Sequence, residues 1–179
     1  MRPLSRPPTP HPSGPWPTSG AARARALAAI LRANPWLRGI LLDLPPVVAH
    51  AAPLEAAGVA DRCEVVGGDM LQGVPGGADA CLVKRVLMIW DDEPAIRALR
   101  HCAEALPKDG KIPVIERVMP PGNDPSPAKG FDPLMLLAHG GGRVRPGARF
   151  RDPFAAAGLR LTRVIPTASP NSILEGVPV

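Results

Sequence analysis

The sequence predicts an α/β fold: a parallel sheet with helices on both faces, ending in an antiparallel pair of strands. Three observations carry this. Short apolar runs that end near an acid or a glycine, such as RGILLD, RCEVVGGD and GKIPVIER, alternate with helix-forming stretches. The helical stretches repeat their apolar residues at helical spacing, as DEPAIRALRHCAEAL does with Ile96, Leu99, Ala103 and Leu106. The last two runs, LRLTRVIPT and SILEGVPV, are only a few residues apart. A parallel crossover needs about a dozen residues, so this pair must be antiparallel.

The elements follow in order. Residues 1–20 hold seven of the 25 prolines. Proline lacks the amide that helices and strands require, so this segment reads as an extended, poorly ordered tail rather than a docking peptide. The folded domain is expected over residues 21–179. AARARALAAILRAN is a helix stopped by Pro35. RGILLD is a buried strand, and PPVVAHAAPLEAAG a helix with prolines in its first turn and Gly58 at its end. Asp43 stands where that helix would take an N-cap. RCEVVGGD and ADACLVKRVLMIW are strands, and the latter runs into the amphipathic helix. GKIPVIERVM is a strand, a Pro/Gly-rich loop covers 120–130, DPLMLLAH is a short helix, and PGARFRDPFAAAG is another.

Composition excludes several classes. The net charge is +5, but six arginines and no acid precede Asp43, and from there fifteen basic residues face sixteen acidic ones. The folded part is therefore not basic, and with aromatics at 3% and no Tyr a nucleic-acid face is not expected. Cys63, Cys81 and Cys102 form no CxxC pair. That spacing predicts neither a disulfide framework nor a metal site, and it fits a cytoplasmic protein. The N-terminus has no signal-peptide core, and no apolar run is long enough to span a membrane.

Strand ends are where ligands sit in open α/β sheets. Here they offer Asp43, Asp69 with Met70, Lys84, the Met88-Ile89-Trp90 stretch and Glu116. With GILLDLPPVV, VVGGDML, LVKRVLMIWDDEPAIRALRHC, IERVMPPG, DPLMLLAHGGGRVR and SILEGVPV in this order, the chain from about Leu27 to Val179 resembles the C-terminal catalytic domain of the small-molecule O-methyltransferases that use S-adenosylmethionine, the caffeate and hydroxyneurosporene group. The resemblance implies a Rossmann-like class I methyltransferase sheet and a small hydroxylated substrate, aromatic or conjugated. It also implies that Asp43 binds the cofactor ribose, that Asp69 and Met70 frame the adenine, and that Lys84 touches the cofactor. On the residues alone, a helix cap for Asp43, a turn for Asp69, and surface charges for Lys84 and Glu116 are the competing roles.

The resemblance places a general base at position 88, where a His would take the hydroxyl proton. Met88 stands there instead, and a thioether is only a weak acceptor. Two acids would support that base. Glu116 matches the first, and Val144, in GGRVR, replaces the second. Of the two histidines that could substitute, His101 lies a few helical turns past the site and reads as a surface helix residue. His139, on what the resemblance makes the substrate-facing helix and loop, is the better candidate.

The family's first strand and Gly-rich turn, which would precede LAAIL, are not legible here. TSGAARARALAAIL keeps only Gly20. The expectation is therefore a sheet lacking a proper first, central strand, and a chain truncated before it. The domain through which family members dimerise is missing too, so no oligomer is expected by that route. The abrupt change in proline, charge and resemblance near Leu27 also fits GC-rich sequence read out of frame, and an uninterrupted frame on resequencing would refute that. The expected function is O-methyl transfer with weak or absent turnover; the alternative is an inactive, methyltransferase-like binding domain or a gene fragment.

Overall fold

The computed structural model describes residues 20–49 and 52–179, with side chains from residue 24 onward. Residues 1–19 of the expected tail, and most of the proposed out-of-frame segment, lie outside the described residues; Gly20 begins a helix rather than ending the tail. The chain divides into two compact units, Met1–Asp79 and Ala80–Val179.

The first unit contains α1 (Gly20–Ala33), β1 (Gly39–Asp43), α2 (Pro45–Val48), α3 (Ala52–Ala56) and β2 (Cys63–Gly67). Ala24, Ala28 and Leu31 recur at four and three residues along α1 and join Leu41, Leu54, Val59 and Cys63 in one buried core. A helix leaves its last carbonyls without amide partners. Arg62 supplies donors: Nη2 reaches Leu31 O at 3.0 Å, and Nη1 reaches Asn34 O, Pro35 O and Leu37 O at 3.3, 3.1 and 2.9 Å. β1 and β2 pair in parallel, Gly39 opposite Cys63 and Asp43 opposite Gly67.

The single helix expected over 45–58 is instead two short ones, α2 and α3. Pro53, at the second position of α3, cannot donate to the preceding turn, which favours a fresh start there. Gly58 does end the stretch, in the left-handed region at φ 65°. Asp43 is not the helix cap. Leu44 takes the cap position, and its amide donates to Asp43 Oδ1 at 2.9 Å.

The second unit contains β3 (Val83–Lys84), α4 (Asp92–Glu104), β4 (Ile112–Glu116), α5 (Pro127–His139), α6 (Arg151–Ala156), β5 (Leu159–Pro166) and β6 (Ser172–Pro178). Its sheet has the order β3-β4-β6-β5. β3 and β4 are parallel, whereas β6 runs antiparallel to both β4 and β5, as the short final connection required. Phe154 of α6 packs on β6 at Gly176, where any Cβ would come within 2.7 Å of the ring. Ile112, Val114, Leu159 and Leu174 are buried with it.

Three boundaries differ from the sequence expectation. The strand expected across ADACLVKRVLMIW is only Val83–Lys84, because Arg85 turns into the left-handed region at φ 50° and residues 87–89 form a 3₁₀ turn. The buried face of α4 is Ala95, Ala98, Leu99 and Cys102; small residues pack there, while Ile96, Ala103 and Leu106 are only half-buried. α5 begins earlier than expected, at Pro127, because Ser126 caps it by accepting from the Lys129 amide. Among the described residues β1 pairs only with β2 and β3 only with β4, so the strands form two sheets rather than one.

Candidate functional site

The first unit gathers two carboxylates at the carboxyl edge of its sheet. Asp43 ends β1, and Asp69 lies two residues beyond β2. Both are 6% exposed. Gly67 and Gly68 bring the backbone close: a Cβ at Gly67 would meet Pro45 Cα at 3.3 Å, and the Gly68 amide donates to Asp43 O at 2.8 Å. Asp69 performs its expected turn role with one oxygen, Oδ1 accepting from the Leu71 amide at 2.9 Å. Its Oδ2 is enclosed and has no hydrogen-bond partner among the described residues. A buried carboxylate oxygen is costly unless a donor meets it. An oxygen so placed can accept from a hydroxyl or amine donor. Met70, half-buried, follows directly.

The second unit gathers the remaining candidates around the 3₁₀ turn. Lys84, half-buried, closes β3. Leu87 and Met88 are buried in the turn that follows. Met88 packs with Ala128, Met135 and Val144 in one apolar cluster, flanked by Ile89, Met119 and Phe131. The two positions expected to hold a base and its acid are thus neighbours in a dry cluster, at 4% and 3% exposure.

Glu116 is not the surface charge that its strand-end position allowed. It is fully buried at the end of β4. Oε2 accepts from the Met88 amide at 3.3 Å and Oε1 from the Arg117 amide at 3.0 Å. Burial pushes its pKa up to about 7, against the opposing pull of the Arg117 and Met88 amides and the Arg85 charge. It can hold a proton near neutrality, but its oxygens are committed to positioning the turn.

Of the other expected proton acceptors, His101 lies on α4, away from the Met88 cluster. His139 ends α5 beside Gly142, whose missing Cβ would lie 2.8 Å from Met88 O and 3.2 Å from His139 Cβ. Only glycine lets these segments approach so closely.

Sequence reasoning missed Arg145. Its side chain is 3% exposed and donates to Leu87 O at 2.8 Å, Trp90 O at 3.0 Å and Asp92 Oδ1 at 2.9 Å. It thereby fixes the turn that carries Met88. The motif GGRVR showed an arginine but gave no sign of its burial. Arg85 and Arg117 were missed as well. Their guanidinium carbons lie 6.0 and 4.3 Å from the ring centre of Phe131. An open groove of about 510 Å³ is lined by Val144 and Arg145 of this site together with Asp92, Asp132, Arg143 and Arg149, but not by Met88 or Glu116.

Comparison with known proteins points one way. A family model described as the O-methyltransferase domain matches residues 19–160. The chain is 43% identical over 161 residues to the phenazine O-methyltransferase PhzM of Lysobacter antibioticus, covering 89% of this chain and 47% of that protein. Among solved structures it is similar to CalO1, a methyltransferase of calicheamicin biosynthesis in its SAH-bound form, with TM-score 0.80, 40% identity, and coverage of 93% of this chain and 51% of that one. It is also similar to NcsB1, an O-methyltransferase of neocarzinostatin biosynthesis in complex with S-adenosylmethionine and 2-hydroxy-5-methyl naphthoic acid, with TM-score 0.76, 34% identity, and coverage of 86% and 45%. The chain spans about half the length of the curated relatives it matches.

Proposed function

The chain belongs to the O-methyltransferase domain family, and on that premise we propose that it binds S-adenosylmethionine through Asp43, Asp69 and Met70 and serves methyl transfer to a hydroxyl of a small aromatic or conjugated acceptor. The observation that carries this is the buried acid pair at and just beyond the ends of β1 and β2, with Asp69 Oδ2 lacking a donor among the described residues. The ribose hydroxyls and adenine amine of the cofactor are donors of the kind that this edge needs. When bound, the cofactor supplies an electrophilic methyl group on a sulfonium. Resemblance adds Lys84 as a further contact.

In the second unit, Glu116 and Arg145 hold the 87–90 turn in place. Glu116 is the one catalytic position of the three that keeps its expected acid. Met88 and Val144 cannot move a proton, so turnover with acceptors that must lose one is slow or absent. Those two side chains also favour a second reading, a domain that binds cofactor or ligand without turnover. The relatives' hydroxylated aromatic acceptors support the substrate class, and three free thiols support a cytoplasmic site of action.

The test is calorimetric titration of the purified chain with S-adenosylmethionine, after circular dichroism has shown it folded. Micromolar binding that weakens in Asp69→Asn is expected. A folded chain that binds no cofactor overturns the reading. Binding without any methyl product across a panel of hydroxyarenes selects the second reading.

A further inference from the structure

We propose that Arg85 and Arg117, set around Phe131, form the anion-binding wall of the acceptor site, and that this site takes an aromatic acceptor whose reacting oxygen is already an anion. The proposal deepens the methyltransferase reading and rests on it. Two independent observations lead there.

The first is what the Met88 cluster lacks. Met88, Val144, Met135 and Ala128 are buried together and contain no proton acceptor. Glu116 gives its oxygens to the Met88 and Arg117 amides. An acceptor with an ordinary phenolic hydroxyl, near pKa 10, would find no base among the side chains of that cluster. Asp132, a carboxylate at its edge, gives Oδ1 to the Val144 amide at 2.6 Å. A carboxylate, or a hydroxyl acidic enough to be ionised at neutral pH, needs no base. In the transfer, the acceptor's oxygen lone pair forms the new C–O bond, the donor's S–C bond breaks with its electron pair left on sulfur, and no proton moves.

The second is what stands at the rim of the cluster. Arg85 follows β3, Arg117 follows β4, and these strands are adjacent and parallel. Their guanidinium groups therefore leave the same sheet edge, and both address the ring of Phe131, which flanks the cluster. Neither makes a direct ion pair among the described residues, although the Arg85 charge acts on the buried Glu116 carboxyl. Arg117 Nε is enclosed without a hydrogen-bond partner among them. A guanidinium presents paired donors matched to a carboxylate or phenolate oxygen. Phe131 and the methionines beside it offer the apolar surface on which an aromatic ring rests.

The experiment compares two probes that share a ring and differ in charge, 1-naphthoate and 1-naphthalenemethanol. Their binding to the folded chain is measured by calorimetry, beside S-adenosylmethionine. Naphthoate is expected to bind about tenfold or more tightly than the alcohol. Arg117→Gln and Arg85→Gln should each erase that preference. Equal affinities, no binding of either probe, or a preference that survives in both variants overturns the proposal. If cofactor binds while the preference is absent, the anion site fails and the methyltransferase reading stands. If the preference is present and arginine-dependent while cofactor does not bind, the anion site stands and its link to methyl transfer is overturned.

Discussion

Arg145 and Asp92 meet through one carboxylate oxygen: Nε and Nη2 of the guanidinium donate to Asp92 Oδ1 at 3.0 and 2.9 Å. The same guanidinium satisfies Leu87 O and Trp90 O. Removing it leaves Trp90 O without a donor among the described residues and Leu87 O with only the Trp90 amide at 3.4 Å. It also strips Asp92 of its nearest charged partner. An unmet polar group costs about 1–3 kcal/mol. Arg145→Ala should therefore destabilise the second unit by about 2–4 kcal/mol. Arg145→Lys should recover only part of this, because an ammonium cannot span three acceptors in one plane. Urea denaturation monitored by circular dichroism measures both.

Asp92 adds a small pH dependence of its own. The hydrogen bond from Arg145 holds its carboxyl below the usual carboxylate range. A depressed folded-state pKa gives stability that is present above the unfolded value and lost as pH falls through the folded one. Asp92 is half exposed, so solvent screening keeps the effect under about 1 kcal/mol.

Glu116 acts in the opposite sense and more strongly. Its pKa rises from 4.5 to about 7 on burial. The folded chain then holds a proton that the unfolded chain has released, so stability falls as pH rises from 4.5 to about 7 and levels off above. The full drop is on the order of 3 kcal/mol. Glu116→Gln should flatten this slope while leaving that of Asp92. Melting curves across pH 4 to 8 decide it; an unchanged slope in the variant would mean that Glu116 is ionised throughout.

Met88 and Val144 share one cluster, so their replacement can be tested as a pair. Met88→His with Val144→Glu rebuilds an imidazole beside a carboxylate. General-base catalysis is worth about 10²–10⁴-fold, and the double variant should gain at least about 10²-fold in methyl transfer. The gain should be confined to acceptors still protonated at the assay pH. Val144→Glu alone should mainly destabilise, since it buries an unpaired acid. Initial rates on a phenolic and a carboxylate acceptor separate these effects.

The three thiols should resist alkylation in the folded chain. Cys102 is fully buried with its Sγ 3.2 Å from that of Cys81, and this contact, with burial, raises its pKa well above the usual thiol range. Burial raises Cys63 too, though it is less enclosed. Since the thiolate is the reactive form, iodoacetamide at neutral pH should label Cys63 first and Cys102 last. Mass spectrometry of timed samples reads the order, and rapid labelling of Cys102 would show that the α4 face opens readily.

Much of the fold was legible because it rests on short-range chemistry. Pro35 ends α1, Gly58 ends the α3 stretch, and the brief link before SILEGVPV required antiparallel pairing. Strand lengths were less legible. Nothing in LVKRVLMIW announces that Arg85 adopts a positive φ, and this cuts the strand at Lys84. For the site, the acids at strand ends were readable as residue types, but their burial was not. Glu116 could as well have faced solvent, and the role of Arg145 depends on carbonyls more than fifty residues away in sequence. The co-packing of Met88 with Val144 is likewise a tertiary fact: the two substitutions read separately as losses, and the structure makes them one compatible surface.

β5, eight residues long, forms one edge of its sheet among the described residues, and the two-residue β3 forms the other. An open edge can recruit another chain's backbone, the first step of ordered aggregation. β5 carries Arg160 and Arg163 on exposed positions, a register shift between Leu161 and Arg163, and an exposed closing Pro166. A chain docking there would have to cover two guanidinium groups, follow an irregular ladder and stop at a residue with no amide to offer. The longer edge of this sheet thus carries its own obstacles to strand addition.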